Sequence, residues 1–368
     1  MEVPINEIVT GRKCFFILPD PSLMPVAFLE DFFALGFECY YIGNDGRVPV
    51  QKKIETILKL FKDVIFFVNI DYEIYDLHWS AYIKELIEAK KATPEQFGIV
   101  FLKRQSSVEL ETISNIYFKE LGLKLGYVQL EYQKKNNLEI VAKALFAIHA
   151  QGRRKTIRAL CSSACTYKFD YERESFSGSL QDISLSHFSI LVKDAPLPVK
   201  LYEKIYDIHF NVRGSFFHSN AILAMQRTIG TANLYVFAFV TPSGASGLDE
   251  RTKSLLVPVL YSMISTVCLG LLEKHYRDEE KKEPDKPLDL SAPAKPAEAS
   301  EQAPEGEAQS TETEAEAQPA EAEGQSADAD AQPEETEAAE IQPAGEEAPE
   351  AVEEVQDAEE APEAKENE

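Results

Sequence analysis

The 368-residue sequence is poor in the residues that build metal centres and disulfide frameworks. It holds six histidines, one tryptophan and five cysteines, an odd number without a regular spacing. This pattern excludes a secreted disulfide scaffold. Cys161 and Cys165 have no second cysteine pair and no nearby histidine to complete a tetrahedral zinc site, so we expect neither a metal nor a cofactor.

We also expect no secretory leader, because the segment MEVPINEIVTGRK has no basic stretch followed by an apolar one. The most apolar stretch, 255–272, is interrupted by Pro258 and contains four hydroxyl side chains. This stretch is at the short limit of length for a membrane span, so we predict that it is a packed helix instead. We therefore expect a soluble, cytoplasmic protein without membrane insertion.

Aromatic residues are absent from 291–368, a segment with 26 acidic and two basic residues. It accounts for nearly all of the formal net charge of -25, and the rest of the chain is close to neutral. Such a segment cannot bury enough apolar surface to offset the entropy lost on ordering. We predict a disordered acidic tail over 277–368, which either only solvates the protein or docks on a basic partner. No nucleic-acid partner is expected.

Residues 1–150 alternate short apolar runs with helical patterns, which predicts an α/β domain. The predicted strands are 14–18, 38–42, 64–70, 99–102 and 125–130, and the predicted helices are 26–35, 50–61, 79–89, 109–121 and 138–148. Strands that are apolar throughout indicate a parallel sheet covered on both faces.

This order resembles a flavodoxin-like receiver domain, but the residues of a phosphorylation site do not match. The first strand is followed by one acid, Asp20, where a receiver has a pair that holds Mg²⁺. Asn69 or Val68 stands nearest the phosphoacceptor position, and the fifth strand ends at Glu131 without the lysine of the family. We interpret the domain as a pseudo-receiver for interaction or dimerisation, with phosphorylation of Asp71 as the alternative. No cluster of catalytic spacing is present, so the protein does not look like an enzyme.

Four cations in six residues follow the last helix of this domain: Arg153, Arg154, Lys155 and Arg158. The alternating segment after them predicts a first β-strand. A second motif, Asp182-Ile183-Ser184-Leu185-Ser186-His187, comes about two dozen residues later between strand-like runs. Each motif alone has an ordinary explanation, because cations favour a helix C-terminus and Asp and Ser favour turns.

Together the two motifs resemble the signature of the PilZ domain, in which RxxxR in a flexible lead-in precedes [DN]xSxxG on a barrel. The matches are Arg154 and Arg158, with Arg153 beside them, and then Asp182 and Ser184. His187 departs from the pattern, because it stands where the family has glycine. The resemblance covers 151–276 and implies an antiparallel β-barrel closed by a helix.

Within that barrel the sequence predicts strands at 188–192, 204–212, 221–224 and 234–240, and a helix over 249–275. The helix carries an apolar residue at every fourth position, a stripe that we expect to face a barrel end. Its members are Leu255, Val259, Met263, Val267 and Leu271.

The resemblance further implies binding of cyclic di-GMP, which offers two phosphates and two guanines. Arg154 and Arg158 would clamp phosphate and guanine with their planar forks, and Arg153 would serve a second stacked molecule. Asp182 and Ser184 suit the polar edge of guanine. For His187 three alternatives stay open: it preserves the turn with a positive φ, fills the base site, or stacks on a guanine.

The expected mechanism is a ligand-driven reorientation of the two domains that regulates a protein partner in motility, envelope or virulence pathways. A homodimer is compatible with this interpretation. The competing hypothesis is an interaction scaffold of the same fold that has lost nucleotide binding.

Overall fold

The computed structural model describes residues 9–45, 47–72, 74, 77–104, 106–193 and 196–280, with side chains as far as Asp278. The tail predicted over 277–368 starts too early, because residues 277–280 belong to the C-terminal helix, and from position 281 onward it lies outside the described residues. Within the described part, two β-sheets are joined by one linker and share one long C-terminal helix.

The first sheet has five parallel strands in the order β2-β1-β3-β4-β5. The strands are β1 (Arg12–Ile17), β2 (Cys39–Ile42), β3 (Asp63–Asn69), β4 (Phe97–Leu102) and β5 (Tyr127–Leu130). The helices are α1 (Phe28–Ala34), α2 (Val50–Leu60), α3 (Trp79–Glu88), α4 (Ser107–Ser114) and α5 (Lys134–Ala147). The alternation predicted from the sequence is confirmed.

Burial on both faces explains why these strands are apolar throughout. Phe15 and Phe16 of the interior strand β1 point to opposite faces of the sheet, and both are buried, at 0% and 1% exposure. The fourth helix differs from the expectation, because α4 continues as a π-helix over Asn115–Glu120. The wider turn lets Tyr117 reach the core.

The second sheet is antiparallel and closes on itself. Its strands are β6 (Ala159–Leu160), β7 (Cys165–Tyr171), β8 (Glu174–Ile183), β9 (His187–Val192), β10 (Lys204–Val212), β11 (Ser215–Ile229) and β12 (Ala232–Val240). Strands β7 to β12 form a six-stranded barrel that a β8–β9 pairing closes, and β6 is added to β8. The predicted barrel is confirmed.

Strand β11 is 15 residues long, far longer than the predicted 221–224. Its last five residues are exposed, so they show no pattern of alternating burial. They are held instead by backbone pairing with β12, as far as Ile229 opposite Ala232. Pairing of this kind leaves no signal in hydrophobic periodicity.

The C-terminal helix α6 (Glu250–Glu280) continues through Pro258, which is exposed. The predicted stripe was wrong by about one position, since Leu255 is 45% exposed and only Met263 of that set is buried. The buried apolar residues are Leu256, Leu260, Tyr261, Met263, Cys268 and Leu272.

The reason is that α6 packs on two surfaces instead of one. It contacts β6 and the barrel strand β11, and it also packs on α1 and α2 of the α/β domain. The Tyr261 hydroxyl donates a hydrogen bond to the Cys39 carbonyl at 3.1 Å. By length and composition alone α6 also meets the criteria for a membrane span, with a mean hydropathy of 2.1 over its most apolar window. The core helix of a soluble protein meets the same criteria.

Candidate functional site

The linker between the two sheets, residues 149–158, is anchored at both ends. Gln151 Nε2 donates to the Leu35 carbonyl at the end of α1, at 2.8 Å. The Lys155 carbonyl packs so closely on Gly36 that a Cβ there would lie 2.6 Å from its oxygen. On the other side, the hydroxyls of Thr156 and Ser186 are 2.7 Å apart. The linker therefore bridges the α1–β2 turn and the β8–β9 turn.

Arg153, Arg154 and Lys155 lie between the hydrogen-bonded residues Gln151 and Thr156, and all three are exposed. None of the three forms an ion pair with another residue that the structure describes. The backbone on either side of them is held while their charges remain unpaired. Such an arrangement supplies cations to an incoming anion at a small entropic cost.

Arg158 brings the first motif to the second. Its Nη1 lies 3.9 Å from Oδ2 of Asp182, close enough for attraction and too far for a direct hydrogen bond. The same Asp182 oxygen accepts a hydrogen bond from the buried Ser189 hydroxyl at 2.7 Å. Because Leu160 of β6 pairs with Asp182 of β8, the sheet itself fixes this approach.

Ser184 holds the turn that follows Asp182. It is 1% exposed, and its N–H donates to the His187 carbonyl at 2.7 Å. Its hydroxyl oxygen accepts from the His187 N–H at 3.1 Å. The role of Ser184 toward a ligand stays a prediction, and the structure shows it as the residue that shapes the turn.

His187 closes the turn without the backbone conformation that glycine would favour. It is not among the described residues with positive φ, so the alternative of a left-handed turn at this position is wrong. Its Nδ1 lies 2.8 Å from the Ser186 hydroxyl. Burial and, to a lesser extent, the charge of Arg158 lower its pKa below the ordinary value, against the opposing effect of Asp182. The His187 ring thus loses its proton more readily than a free imidazole, beside the Arg158–Asp182 pair.

No family model matches this chain, and neither does any curated protein. Among solved structures, it is similar to YcgR in complex with c-di-GMP from Escherichia coli, at 19% identity and a TM-score of 0.26. The similarity covers 35% of this chain and only 50% of that one. The chain resembles PilZ-domain proteins.

Two further structures fit the same description. The PilZ domain of Escherichia coli YcgR with c-di-GMP is 18% identical, with 35% of this chain and 98% of that one covered and a TM-score of 0.26. The K. pneumonia MrkH–c-di-GMP complex is 11% identical, with coverages of 34% and 55% and a TM-score of 0.24. At these values the likeness carries no ligand or activity over to this chain, and the local geometry has to be judged by itself.

Outside the PilZ-like barrel, the corresponding edge of the α/β sheet is already filled by its own contacts. Asp71 accepts from the Leu102 N–H at 2.6 Å and pairs directly with Arg104. Asn69 is 8% exposed and donates to the Leu18 carbonyl at 2.9 Å. These contacts fit the interpretation as a pseudo-receiver.

Four residues around the PilZ-like site were not singled out from the sequence: Gly36, Thr156, Ser186 and Ser189. Thr156 and Ser186 stand inside the two motifs, so their hydroxyl side chains could have been noted as candidates from the sequence. Ser189 and Gly36 carry no such signal, because their partners lie far along the chain or in the other sheet.

Proposed function

We propose that this protein is a cytoplasmic, non-enzymatic receptor for cyclic di-GMP, bound between the linker and the β8–β9 turn. The observation that carries the proposal is the meeting of Arg158 with Asp182, next to a clamped linker that presents unpaired Arg153 and Arg154. Neither motif alone contains both an acid and several cations, and the fold places the acid of one beside the cations of the other.

The chemistry of the site suits both halves of the ligand. An arginine guanidinium offers parallel N–H donors to two phosphate oxygens or to O6 and N7 of guanine. Asp182 offers carboxylate oxygens to the donors on the opposite edge of the base. Its 14% exposure means that such a bond forms where water competes weakly. Lys155 adds a point charge for the second phosphate.

Binding would be transmitted because the linker contacts both domains. A ligand that draws Arg154 toward the barrel moves the segment whose carbonyl, at Lys155, packs on Gly36. The two domains then change their relative orientation only to the extent that the ligand favours one arrangement. A protein partner that reads this surface would pass the signal on to motility, envelope or virulence pathways.

The test is calorimetric titration of cyclic di-GMP into the full chain, with cyclic di-AMP and GTP as competing ligands. We expect selective binding at micromolar concentration or below, lost in Arg154→Ala and in Arg158→Ala. Arg251→Ala, which removes an exposed arginine from α6, is the matched control and should bind normally. Absence of heat and of any thermal shift at high ligand concentration would disprove the proposal.

One observation favours a second function, a PilZ-like scaffold that binds partners without nucleotide. The β8–β9 turn is complete by itself, because Ser184 is buried and the His187 ring bonds to Ser186. His187→Gly separates the two functions. A receptor should bind cyclic di-GMP equally well or better after the ring is removed, and a scaffold should bind it in neither form.

A further inference from the structure

The outer face of α6 is apolar over most of its length and yet faces water. The most apolar 18 residues of this helix have a mean hydropathy of 2.1, but only 33% of them are buried. Leu255 and Leu269 on this face are 45% and 40% exposed. No charged residue occurs between Lys253 and Glu273. An uncovered apolar surface of this extent on a folded protein indicates contact with another molecule.

The exposed residues of this face follow one line along the helix. At about 100° per residue, they all lie within about 40° of the direction in which Ser262 points. The line extends from position 251 to position 273, which is roughly 33 Å at about 1.5 Å per residue. Its members, all exposed, are Arg251, Leu255, Pro258, Ser262, Thr266, Leu269 and Glu273. We call this line the outer stripe of α6.

The outer stripe is symmetric about Ser262. Leu255 and Leu269 stand at equal distances along the chain before and after it, and so do Arg251 and Glu273. Two copies of the helix that pack antiparallel around a two-fold axis at Ser262 would bring leucine against leucine on both sides of the axis. At both ends they would bring the arginine of one copy beside the glutamate of the other. The stripe is therefore complementary to itself.

The polar groups in the middle of the outer stripe can be covered at little cost. The Thr266 hydroxyl donates to the Ser262 carbonyl of its own helix at 2.6 Å, so it needs no outside partner. Pro258 has no N–H to satisfy. The Ser262 hydroxyl would lie at the axis opposite an identical group, and a hydroxyl can both donate and accept a hydrogen bond. No buried polar group is left unpaired in such a contact.

The charges at the two ends select the antiparallel direction. Arg251 forms no ion pair with another residue in the part of the chain that the structure describes. Glu273 pairs only with Arg277 of its own helix, at 3.1 Å, and both side chains are at least half exposed. Such exposed pairs are weak, so Glu273 remains available to a second cation. Parallel helices would instead place arginine beside arginine and glutamate beside glutamate, which is unfavourable.

We propose that the protein forms a homodimer in which the outer stripes of two α6 helices pack antiparallel around a two-fold axis at Ser262. The occupant of the apolar face is thus a second copy of this chain. A membrane surface would also cover apolar side chains, but it does not require charges of opposite sign at equal distances from one residue. The contact needs no ligand, and the outer stripe contains no residue of the two motifs, so it can be tested without cyclic di-GMP.

The experiment is sedimentation equilibrium of the full chain at physiological ionic strength, where repulsion between the acidic segments is screened. We expect a monomer–dimer equilibrium in the micromolar range. Arg251→Glu and Glu273→Arg should each weaken the dimer at least about tenfold, because the two-fold axis repeats each like-charge contact. The double variant should recover the dissociation constant of the original chain to within about threefold. Lys274→Glu, an exposed charge reversal away from the stripe, is the matched control and should change nothing.

A second variant tests the position of the axis. Ser262→Lys would place two like charges in contact and should abolish the dimer, whereas Ser262→Ala should keep it, and thermal melts check that each variant folds. A monomer at every concentration would overturn the proposal, and so would a dimer that both single charge reversals leave unchanged. Flotation with vesicles of phosphatidylcholine and phosphatidylglycerol distinguishes the other occupant. A chain that stays monomeric and floats with the vesicles would show that α6 binds a lipid surface instead.

Discussion

An arginine lies beside an aspartate in each of the two domains, and the pairs differ in one respect. Arg104 and Asp71 are 31% and 25% exposed, and Arg158 and Asp182 are 35% and 14% exposed. Arg104 bonds directly to its acid, which also accepts from a backbone N–H. Arg158 stops 3.9 Å from its acid.

The comparison shows that an acid and an arginine near a strand end do not make a binding site by themselves. In the α/β domain the two charges satisfy each other, and nothing remains for a ligand. At the barrel, Arg158 makes no direct hydrogen bond to its acid. The linker before it adds further cations that form no ion pair with a described residue. An anion binds where cations are held in position and have no partner within the protein.

Removing each arginine should therefore have opposite consequences, and this is the largest effect that we expect. Arg158→Ala should weaken cyclic di-GMP binding by about a hundredfold, the value of a charge-assisted bond of about 2.7 kcal/mol, with little change in stability. Arg104→Ala should leave binding unchanged and lower the free energy of unfolding by about 1 kcal/mol. Calorimetry and thermal melts measure both, and equal loss of binding in the two variants would contradict the comparison.

Gly36→Ala is expected to have the next largest effect, because Gly36 is where the linker rests on the α/β domain. The added Cβ would meet the Lys155 carbonyl, and the φ of +89° is strained for alanine. Gly126→Ala is the matched control, with a φ of +72° and no atom within 4 Å of the added Cβ.

We expect both glycine variants to lose about 1 kcal/mol of unfolding free energy from the backbone strain. Gly36→Ala should lose a further 1–2 kcal/mol and also bind cyclic di-GMP more weakly, because the linker must shift. Thermal melts and titrations of the two variants side by side give the difference. Identical behaviour would mean that the linker contact is unimportant.

A smaller effect is expected in the pH dependence of stability, through His187 beside the Arg158–Asp182 pair. Its pKa in the folded protein lies below the ordinary 6.5. The unfolded chain therefore binds the proton more readily, and the stability falls as the pH drops below about 6.5. His187→Gln should flatten this fall by about one to two degrees of melting temperature between pH 7.5 and 5.5. His275→Gln is the control, and an unchanged slope in His187→Gln would refute the assignment.

The smallest effect should come from deleting 291–368, which contains no residue of the two motifs. We predict unchanged melting and unchanged affinity for cyclic di-GMP at physiological ionic strength. A large loss of affinity would show that the acidic tail takes part in binding. A gain that disappears at high salt would show competition between its carboxylates and the ligand for the linker cations.

Much of the fold was readable from local pattern. The five apolar strands of the first sheet and the exact bounds of β10 follow from burial on one or both faces, which composition reveals directly. The face of α6 was not readable, because a helix that packs on two different surfaces has no single apolar stripe. The exposed end of β11 was also invisible, since only backbone pairing holds it.

By itself the sequence determined the alternation of strands and helices in the first domain and the acidic composition of the tail. It also determined the spacing of Arg154, Arg158, Asp182 and Ser184. All of these features are local in the chain. Only the tertiary structure decided that Arg158 meets Asp182 through β6 and that the linker packs on Gly36. The physical reason is that these contacts depend on strand register and on the direction of side chains in turns. Register and turn geometry are fixed by packing over the whole molecule, and no short segment encodes them.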